Sequence, residues 1–109
     1  MTTPSEVALA DVQRQLQFCK KVNLKVIGVI ENMSGFTCPK CSVTSPIFKP
    51  SATNVADFCE KNGLKLLGRL PIDPVICKSL DQGQNPMEQE SPVVEEMKNI
   101  TQSLRQMFE

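Results

Sequence analysis

Residues 24–30 read LKVIGVI, an apolar run rich in β-branched side chains that carries one charge, Lys25. A strand buried on both faces of a parallel sheet has this continuous apolar pattern, because neither of its faces meets water. We interpret residues 64–70, LKLLGRL, as a second strand. The two runs predict the centre of a sheet in which both strands run in the same direction.

A helix is predicted in front of the first strand. Thr3 and Glu6 have the spacing of a capping box, and Pro4 suits the first position of a helix. Apolar residues then recur at intervals of three and four, which is typical of a helix with one buried face. We therefore predict a helix over residues 4–21.

Three more helices are predicted behind the first strand, at about 53–62, 74–81 and 91–108. Strands that alternate with helices indicate an α/β architecture with a parallel sheet. Two strands alone make a marginal sheet, however, and a parallel sheet needs cover on both faces. The pattern therefore resembles the second half of a larger α/β domain.

Composition argues against several classes of protein. Twelve basic and twelve acidic residues give a formal net charge of zero, so we expect no nucleic-acid partner. No apolar run approaches the roughly 20 residues of a membrane span, so we expect no membrane partner. The start, MTTPSEVALADVQ, lacks the apolar segment of a secretory signal, which predicts a cytoplasmic location where thiols stay reduced.

A C-P-K-C pair, Cys38 and Cys41, lies in a segment without clear periodicity. A thioredoxin-type redox pair needs a helix after its first cysteine, and the following SVTSPIF is poor helix material. A closed zinc site needs four ligands. The chain has no histidine, and its other cysteines are single and lie on apolar faces of predicted helices: Cys19, Cys59 and Cys77.

A site shared by two chains is the third alternative for this pair. Two copies related by a two-fold axis would bring four thiolates together, which suits zinc or an iron–sulfur cluster. Loop cysteines without any ligand role remain a further interpretation. The C-x-x-C spacing by itself does not choose among these alternatives.

Three segments, TTPSEVALADVQ, GVIENMSGFTCPKC and LLGRLPIDP, occur in that order and resemble the C-terminal part of the Mrp / nucleotide-binding-protein family. That family consists of P-loop ATPases that act as scaffolds in cytosolic iron–sulfur cluster assembly. The resemblance implies the C-terminal half of a doubly wound, mostly parallel P-loop NTPase-like sheet with helices on both faces. Residues 1–109 would then be a partial ATPase domain, with a cluster-binding loop at about 33–52 and a C-terminal helix at about 91–108.

The resemblance also implies roles for individual residues. Cys38 and Cys41 match the pair that holds a labile [4Fe–4S] cluster between two subunits, with zinc as an alternative occupant. Asn32 matches the residue that reads the adenine ring, and Pro71 and Asp73 match the turn beside the adenine pocket. Asn32 and Pro71 each follow a predicted strand, so we expect these two residues at the same edge of the sheet. Without the resemblance, Asn32 and Pro71 would be read as ordinary turn residues.

The function implied is an iron–sulfur scaffold. A homodimer, or a heteromer with a paralogous scaffold ATPase, would hold the cluster and pass it to apo iron–sulfur proteins. The alternatives are a zinc-bridged or metal-free dimerisation module and, less favoured, a thiol–disulfide redox protein.

Two departures from the family pattern stand out. All five glycines are isolated, whereas a phosphate-binding loop needs them clustered. ATP and Mg²⁺ binding is therefore expected only of a complete domain, and we expect no ATPase activity from this chain alone. Members also carry a Gly pair or triplet where this chain has Ala52, Thr53 and Asn54, and here Thr53 or Asn54 would cap the next helix.

Overall fold

The structure, a computed structural model, describes residues 1–41, 43–47 and 54–108. Its elements in chain order are α1 (Glu6–Lys21), β1 (Val29–Thr37), β2 (Thr44–Ser45), α2 (Val55–Lys61), β3 (Leu66–Ile72), α3 (Pro74–Asp81), a 3-10 turn (Pro86–Glu88) and α4 (Pro92–Met107). None of the helices in these ranges combines the length and the hydrophobicity that crossing a bilayer requires.

The described strands form one sheet in the order β2-β1-β3. β1 and β3 run parallel, with Val29 opposite Leu66 and Asn32 opposite Leu70. β2 pairs antiparallel with β1, so the sheet is mixed rather than wholly parallel. The predicted α/β fold with a parallel central pair is therefore confirmed.

The predicted limits of the first strand were wrong. β1 begins at Val29 instead of residue 24, and it continues to Thr37 through the segment that was read as a loop. The limits of β1 are set by the segments that pair with it. The Val29 N–H donates to the Lys65 carbonyl oxygen at 2.8 Å, and β2 supplies partners opposite Phe36 and Thr37. The second strand is likewise displaced, to Leu66–Ile72.

The start of the first helix also differs from the prediction. Ser5, not Thr3, is the N-cap of α1, and its side chain accepts a hydrogen bond from the Ala8 N–H at 3.3 Å. Thr2 is held in extended pairing beside β1. It donates to the Ile30 carbonyl oxygen at 2.9 Å, and its own carbonyl oxygen accepts from the Asn32 N–H at 2.6 Å. This pairing keeps Thr3 outside the helix.

The other helix starts agree better with the sequence. Asn54 caps α2, because its Oδ1 accepts from the Asp57 N–H at 2.8 Å. Thr53, the alternative cap, and Ala52 lie outside the described residues. Ser91 caps α4, and Pro92 occupies its first turn, as expected.

Helices cover the two sides of the sheet. On one side, α1 and α2 enclose a buried cluster: Leu9, Val29, Val55, Phe58 and Cys59. Ile30 follows Val29 and points to the other side, where its partner Gly68 lies beneath α4. A Cβ at Gly68 would lie 2.5 Å from Ile100 Cγ1, so this glycine is what lets α4 approach the sheet. The helices on both faces are those expected of a doubly wound fold.

Candidate metal site on the β1–β2 hairpin

Cys38 and Cys41 lie in the turn that joins β1 to β2. The Cys38 N–H donates to the Val43 carbonyl oxygen at 2.9 Å, which continues the antiparallel ladder past the last strand residues. One step back, the hydroxyls of Thr37 and Thr44 are 3.0 Å apart. The two thiols therefore extend from a hydrogen-bonded hairpin rather than from the irregular loop that the sequence predicted.

The base of the hairpin depends on a glycine. Gly35 is buried, and a Cβ at this position would lie 2.8 Å from the Ser45 carbonyl oxygen. A backbone oxygen cannot move aside as a flexible side chain can, so any larger residue would push β2 away from β1. Gly35 thereby helps to hold the turn with both cysteines in place.

The environment of Cys38 favours its thiolate. The backbone N–H of Cys41, then that of Lys40, and then the Cys41 thiol donate hydrogen bonds to the Cys38 sulfur and lower its pKa. Partial burial acts in the opposite direction with a smaller effect. The thiolate is the form that binds metals and attacks electrophiles. The turn is thus already arranged to stabilise negative charge on one of the two sulfurs.

A redox site of the thioredoxin type would place Cys38 at the start of a helix. In the described residues after Cys41 the chain instead forms β2, and no helix begins before Val55. A closed metal site is also missing from the described part of the chain, where no group of three or more His, Cys, Asp or Glu side chains could hold an ion. The pair alone would offer two ligands, fewer than the four that a closed zinc site needs.

The remaining cysteines are separate from this site. Cys59 is buried among the apolar residues of α2, and burial first and the charge of Glu31 second raise the pKa of its thiol. Cys19 is half-buried. Cys77 is exposed, so its predicted place on a buried face of α3 was wrong. α3 has eight residues, of which Ser79 is the buried one, so the Cys77 thiol lies in solvent.

Asn32 lies within β1 and not after it. Its Oδ1 accepts a hydrogen bond from the Met33 N–H at 2.9 Å, and Met33 has the left-handed φ of 55°. The pairing of β1 with β3 shifts register between Asn32 and Phe36. Asn32 therefore marks an irregularity in the strand, and it lines a groove of about 380 Å³ together with N-terminal residues and α1.

Pro71 and Asp73 lie at the end of β3 and directly after it. Asp73 is buried: one carboxylate oxygen accepts from the Val75 N–H at 2.9 Å, and the other accepts from the Ser91 hydroxyl. Asp73 thus caps α3, and it also accepts a hydrogen bond from Ser91, the residue that caps α4. Pro71 lines a cavity of about 540 Å³ beside α4. Asn32 and Pro71 are on neighbouring strands, but in the described residues they line different cavities.

One ionic contact was not foreseen from the sequence. Glu31 is 7% exposed, and its Oε2 lies 2.7 Å from Nε of Arg69, its register partner on β3. The contact is ionic rather than a well-aligned hydrogen bond, because Oε2 has no directed donor. Arg69, the second of two charged residues in the run 64–70 after Lys65, was the available signal, since charge inside a sheet needs an opposite partner.

A parallel strand pair between helical layers, with polar residues near the carboxyl ends of the strands, is typical of a doubly wound α/β fold. The cell division ATPase MinD of Pyrococcus furiosus shares this fold, with a TM-score of 0.71 and 17% identity over 98% of this chain and 41% of that chain. A nucleotide-binding protein of Archaeoglobus fulgidus in complex with ADP matches with a TM-score of 0.64 and 25% identity, over 82% of this chain and 36% of its own.

The ParA family model, described as NUBPL iron-transfer P-loop NTPase, matches residues 1–105, and the chain belongs to this family. The cytosolic Fe-S cluster assembly factor NBP35 of Eremothecium gossypii is 43% identical over 107 residues, which are 96% of this chain and 32% of NBP35. The chain thus spans about a third of the length of that relative. The family expected from the three motifs is confirmed.

Proposed function

We propose that this chain is the C-terminal module of an iron–sulfur cluster scaffold. Cys38 and Cys41 of two chains hold a labile [4Fe–4S] cluster as cargo, which is then released to apo iron–sulfur proteins. The observation that carries the proposal is a pair of thiols on a hairpin, with backbone N–H groups directed at the Cys38 sulfur, in a member of an iron-transfer family.

The donor set fits such a cargo. Four thiolates are the usual ligands of a [4Fe–4S] cluster, and two chains supply that number. The N–H groups of Lys40 and Cys41 would continue to donate to the Cys38 sulfur and would offset the negative charge of a bound cluster. Cys41 is exposed, so a recipient can approach at this ligand. Two ligands per chain and an open approach favour release.

Nucleotide binding is assigned to a complete domain and not to this chain alone. We propose that Asn32 and Pro71, each from the separate cavity that it lines here, contribute to the adenine site of the complete domain. Asp73 would act indirectly there, because its carboxylate already caps α3 and holds Ser91. Bound ATP and Mg²⁺ would then change how two subunits meet. We also propose that the protein is cytosolic. It would act as a homodimer or as a heteromer with a paralogous ATPase.

Anaerobic reconstitution with iron and sulfide tests the cluster site. We expect the wild-type chain to turn brown, with broad absorption near about 400 nm and about two iron atoms per chain. Cys38→Ser should stay colourless. Cys77→Ser is the matched control, since it removes an exposed thiol outside the hairpin and should load fully. A wild-type chain that stays colourless and binds zinc would instead favour a dimerisation module without transfer activity.

A further inference from the structure

We propose that a groove at the amino end of the sheet binds an acidic segment of another protein. One apolar side chain of that segment enters the groove, and carboxylates on both sides of it pair with lysines. The amino-end groove has a volume of about 180 Å³, and its apolar lining consists of Leu16, Cys19, Leu24, Val26 and Leu64. The proposal is independent of the cluster site, which lies beyond the other end of β1.

Two helix ends of the same kind build the groove. α1 is followed by Asn23 and α2 by Gly63, and both residues have a left-handed φ, of 59° and 65°. The next residue in each case is a leucine, whose N–H donates to the carbonyl oxygen five residues earlier at 2.8 Å. Helices that end in this way usually place an apolar side chain against their last turn. Leu24 and Leu64 are these side chains, and they line one groove because β1 and β3 run parallel and start at the same edge.

Lysines form a cationic rim around the groove. Five exposed lysines line the groove or are direct chain neighbours of a lining residue: Lys20, Lys21, Lys25, Lys61 and Lys65. No acidic residue of the sequence is as close in the chain to a lining residue. Within the described ranges, none of these five lysines forms an ion pair. The chain as a whole has no net charge, so the cationic rim is a local feature.

The ends of the helices explain only part of the cationic rim. Lys20, Lys21 and Lys61 lie in the last turns of α1 and α2, where the helix dipole stabilises a cation. Lys25 and Lys65 lie beyond the helices, each directly after one of the two leucines. The same Leu-Lys pair thus places an apolar side chain and a cation together twice at one edge. Unpaired positive charge around an apolar surface favours a ligand with carboxylates around an apolar side chain.

The size and shape of the groove indicate what enters it. A cavity of about 150 Å³ is enough to hold a benzene molecule, so this groove has room for one phenylalanine or leucine side chain. Leu24 is 60% exposed, which leaves much of its apolar surface for a ligand to cover. A bilayer fits less well, because membrane-binding surfaces insert protruding apolar side chains, whereas this apolar surface is concave.

The amino-end groove is remote from the paired thiols. β1 has nine residues, which span roughly 30 Å, and the hairpin with Cys38 and Cys41 lies beyond its carboxyl end. A protein held at the groove would leave the hairpin open. Docking at the groove and metal binding at the hairpin can therefore occur together.

Fluorescence anisotropy tests the groove with a fluorescein-labelled probe peptide, in which aspartate and serine alternate on both sides of one phenylalanine. We expect saturable binding to the reduced wild-type chain at low salt, with a dissociation constant on the order of 10–100 μM. Replacing the phenylalanine of the probe with alanine, or all its aspartates with asparagine, should weaken binding by about fivefold or more.

A first pair of variants tests the apolar contact. Leu24→Ser should raise the dissociation constant of the probe by about fivefold or more, because it removes exposed apolar lining. Phe18→Ser is the matched control, since Phe18 is 61% exposed but does not line the groove. This control should stay within about twofold of the wild type.

A second pair of variants tests the charge. Lys25→Glu/Lys65→Glu should raise the dissociation constant by about tenfold or more at low salt. Lys40→Glu/Lys78→Glu changes the net charge equally at lysines away from the groove, and its effect should stay below about threefold. Circular dichroism verifies the fold of each variant. Because Lys25 and Lys65 are exposed, the charge pair remains decisive if Leu24→Ser unfolds.

Several results would overturn the proposal. One is the absence of saturable binding up to about 1 mM of the probe, and another is equal binding of the aspartate and asparagine peptides. Equal losses in Leu24→Ser and Phe18→Ser, or binding to phosphatidylserine vesicles but not to the probe, would indicate a membrane-facing surface. Self-association in sedimentation that Leu24→Ser abolishes would make a second copy the occupant. Cys38→Ser should bind the probe as the wild type does, so failure of the cluster site leaves this proposal standing.

Discussion

Replacing Gly68 with alanine tests the packing of α4 against the sheet. The new Cβ would lie 2.5 Å from Ile100 Cγ1 and 2.6 Å from Cδ1, and Ile100 is 1% exposed. Because that side chain is enclosed, either the helix or the strand must shift. Overpacking of this kind costs about 1–3 kcal/mol. For a chain of this size we expect the midpoint of thermal unfolding to fall by roughly 4–8 °C for each kcal/mol lost.

A double-mutant cycle isolates the contact. Ile100→Ala alone should cost about 2–5 kcal/mol, because it leaves a cavity. In Gly68→Ala/Ile100→Ala the new methyl group enters that space, so the combined loss should be smaller than the sum by about 1–3 kcal/mol. Urea unfolding followed by circular dichroism measures all four proteins. Additive losses, or an alanine at position 68 without effect, would refute the close approach of α4.

Three further changes are predicted from the same structure. Asp73→Ala removes the cap of α3 and the partner of Ser91, and should lower the free energy of unfolding by about 1–2 kcal/mol in urea titration; an unchanged midpoint would contradict this. Arg69→Gln leaves Glu31 buried without its cation and should lower the free energy of unfolding by about 1–3 kcal/mol. The double variant Glu31→Gln/Arg69→Gln should regain part of that stability. Cys38 has a lowered pKa, so its alkylation by iodoacetamide, followed by peptide mass spectrometry, should persist at a lower pH than that of free cysteine added to the same reaction. Equal pH profiles would argue against the hydrogen bonds to its sulfur.

Local features of the chain were the ones that could be predicted. The caps Asn54 and Ser91 bond to backbone N–H groups two or three residues away, so nearby sequence contains the whole interaction. The start of α1 was missed because its cause is not local. Thr2 pairs with β1, about 30 residues further along the chain, and nothing in the first ten residues indicates this bond.

The candidate site shows the same division. The position of Cys38 and Cys41 and their resemblance to a cluster-binding pair are visible in the sequence. Their place on a hairpin is not, because the two residues of β2 have no strand pattern of their own. The role predicted for Asp73 was incomplete for a related reason. Its second partner, Ser91, lies 18 residues away and meets it only after α3 and α4 have packed.

The sequence by itself determined the class of fold and the family, and it located the paired thiols, because apolar runs, caps and motifs are properties of neighbouring residues. Only the tertiary structure decided which way the side chains of the hairpin point, and that Asn32 and Pro71 line separate cavities. In a strand, a displacement of one residue exchanges the two faces. The register that sets Phe36 and Val43 outward therefore comes from hydrogen bonds between segments that the chain brings together by folding.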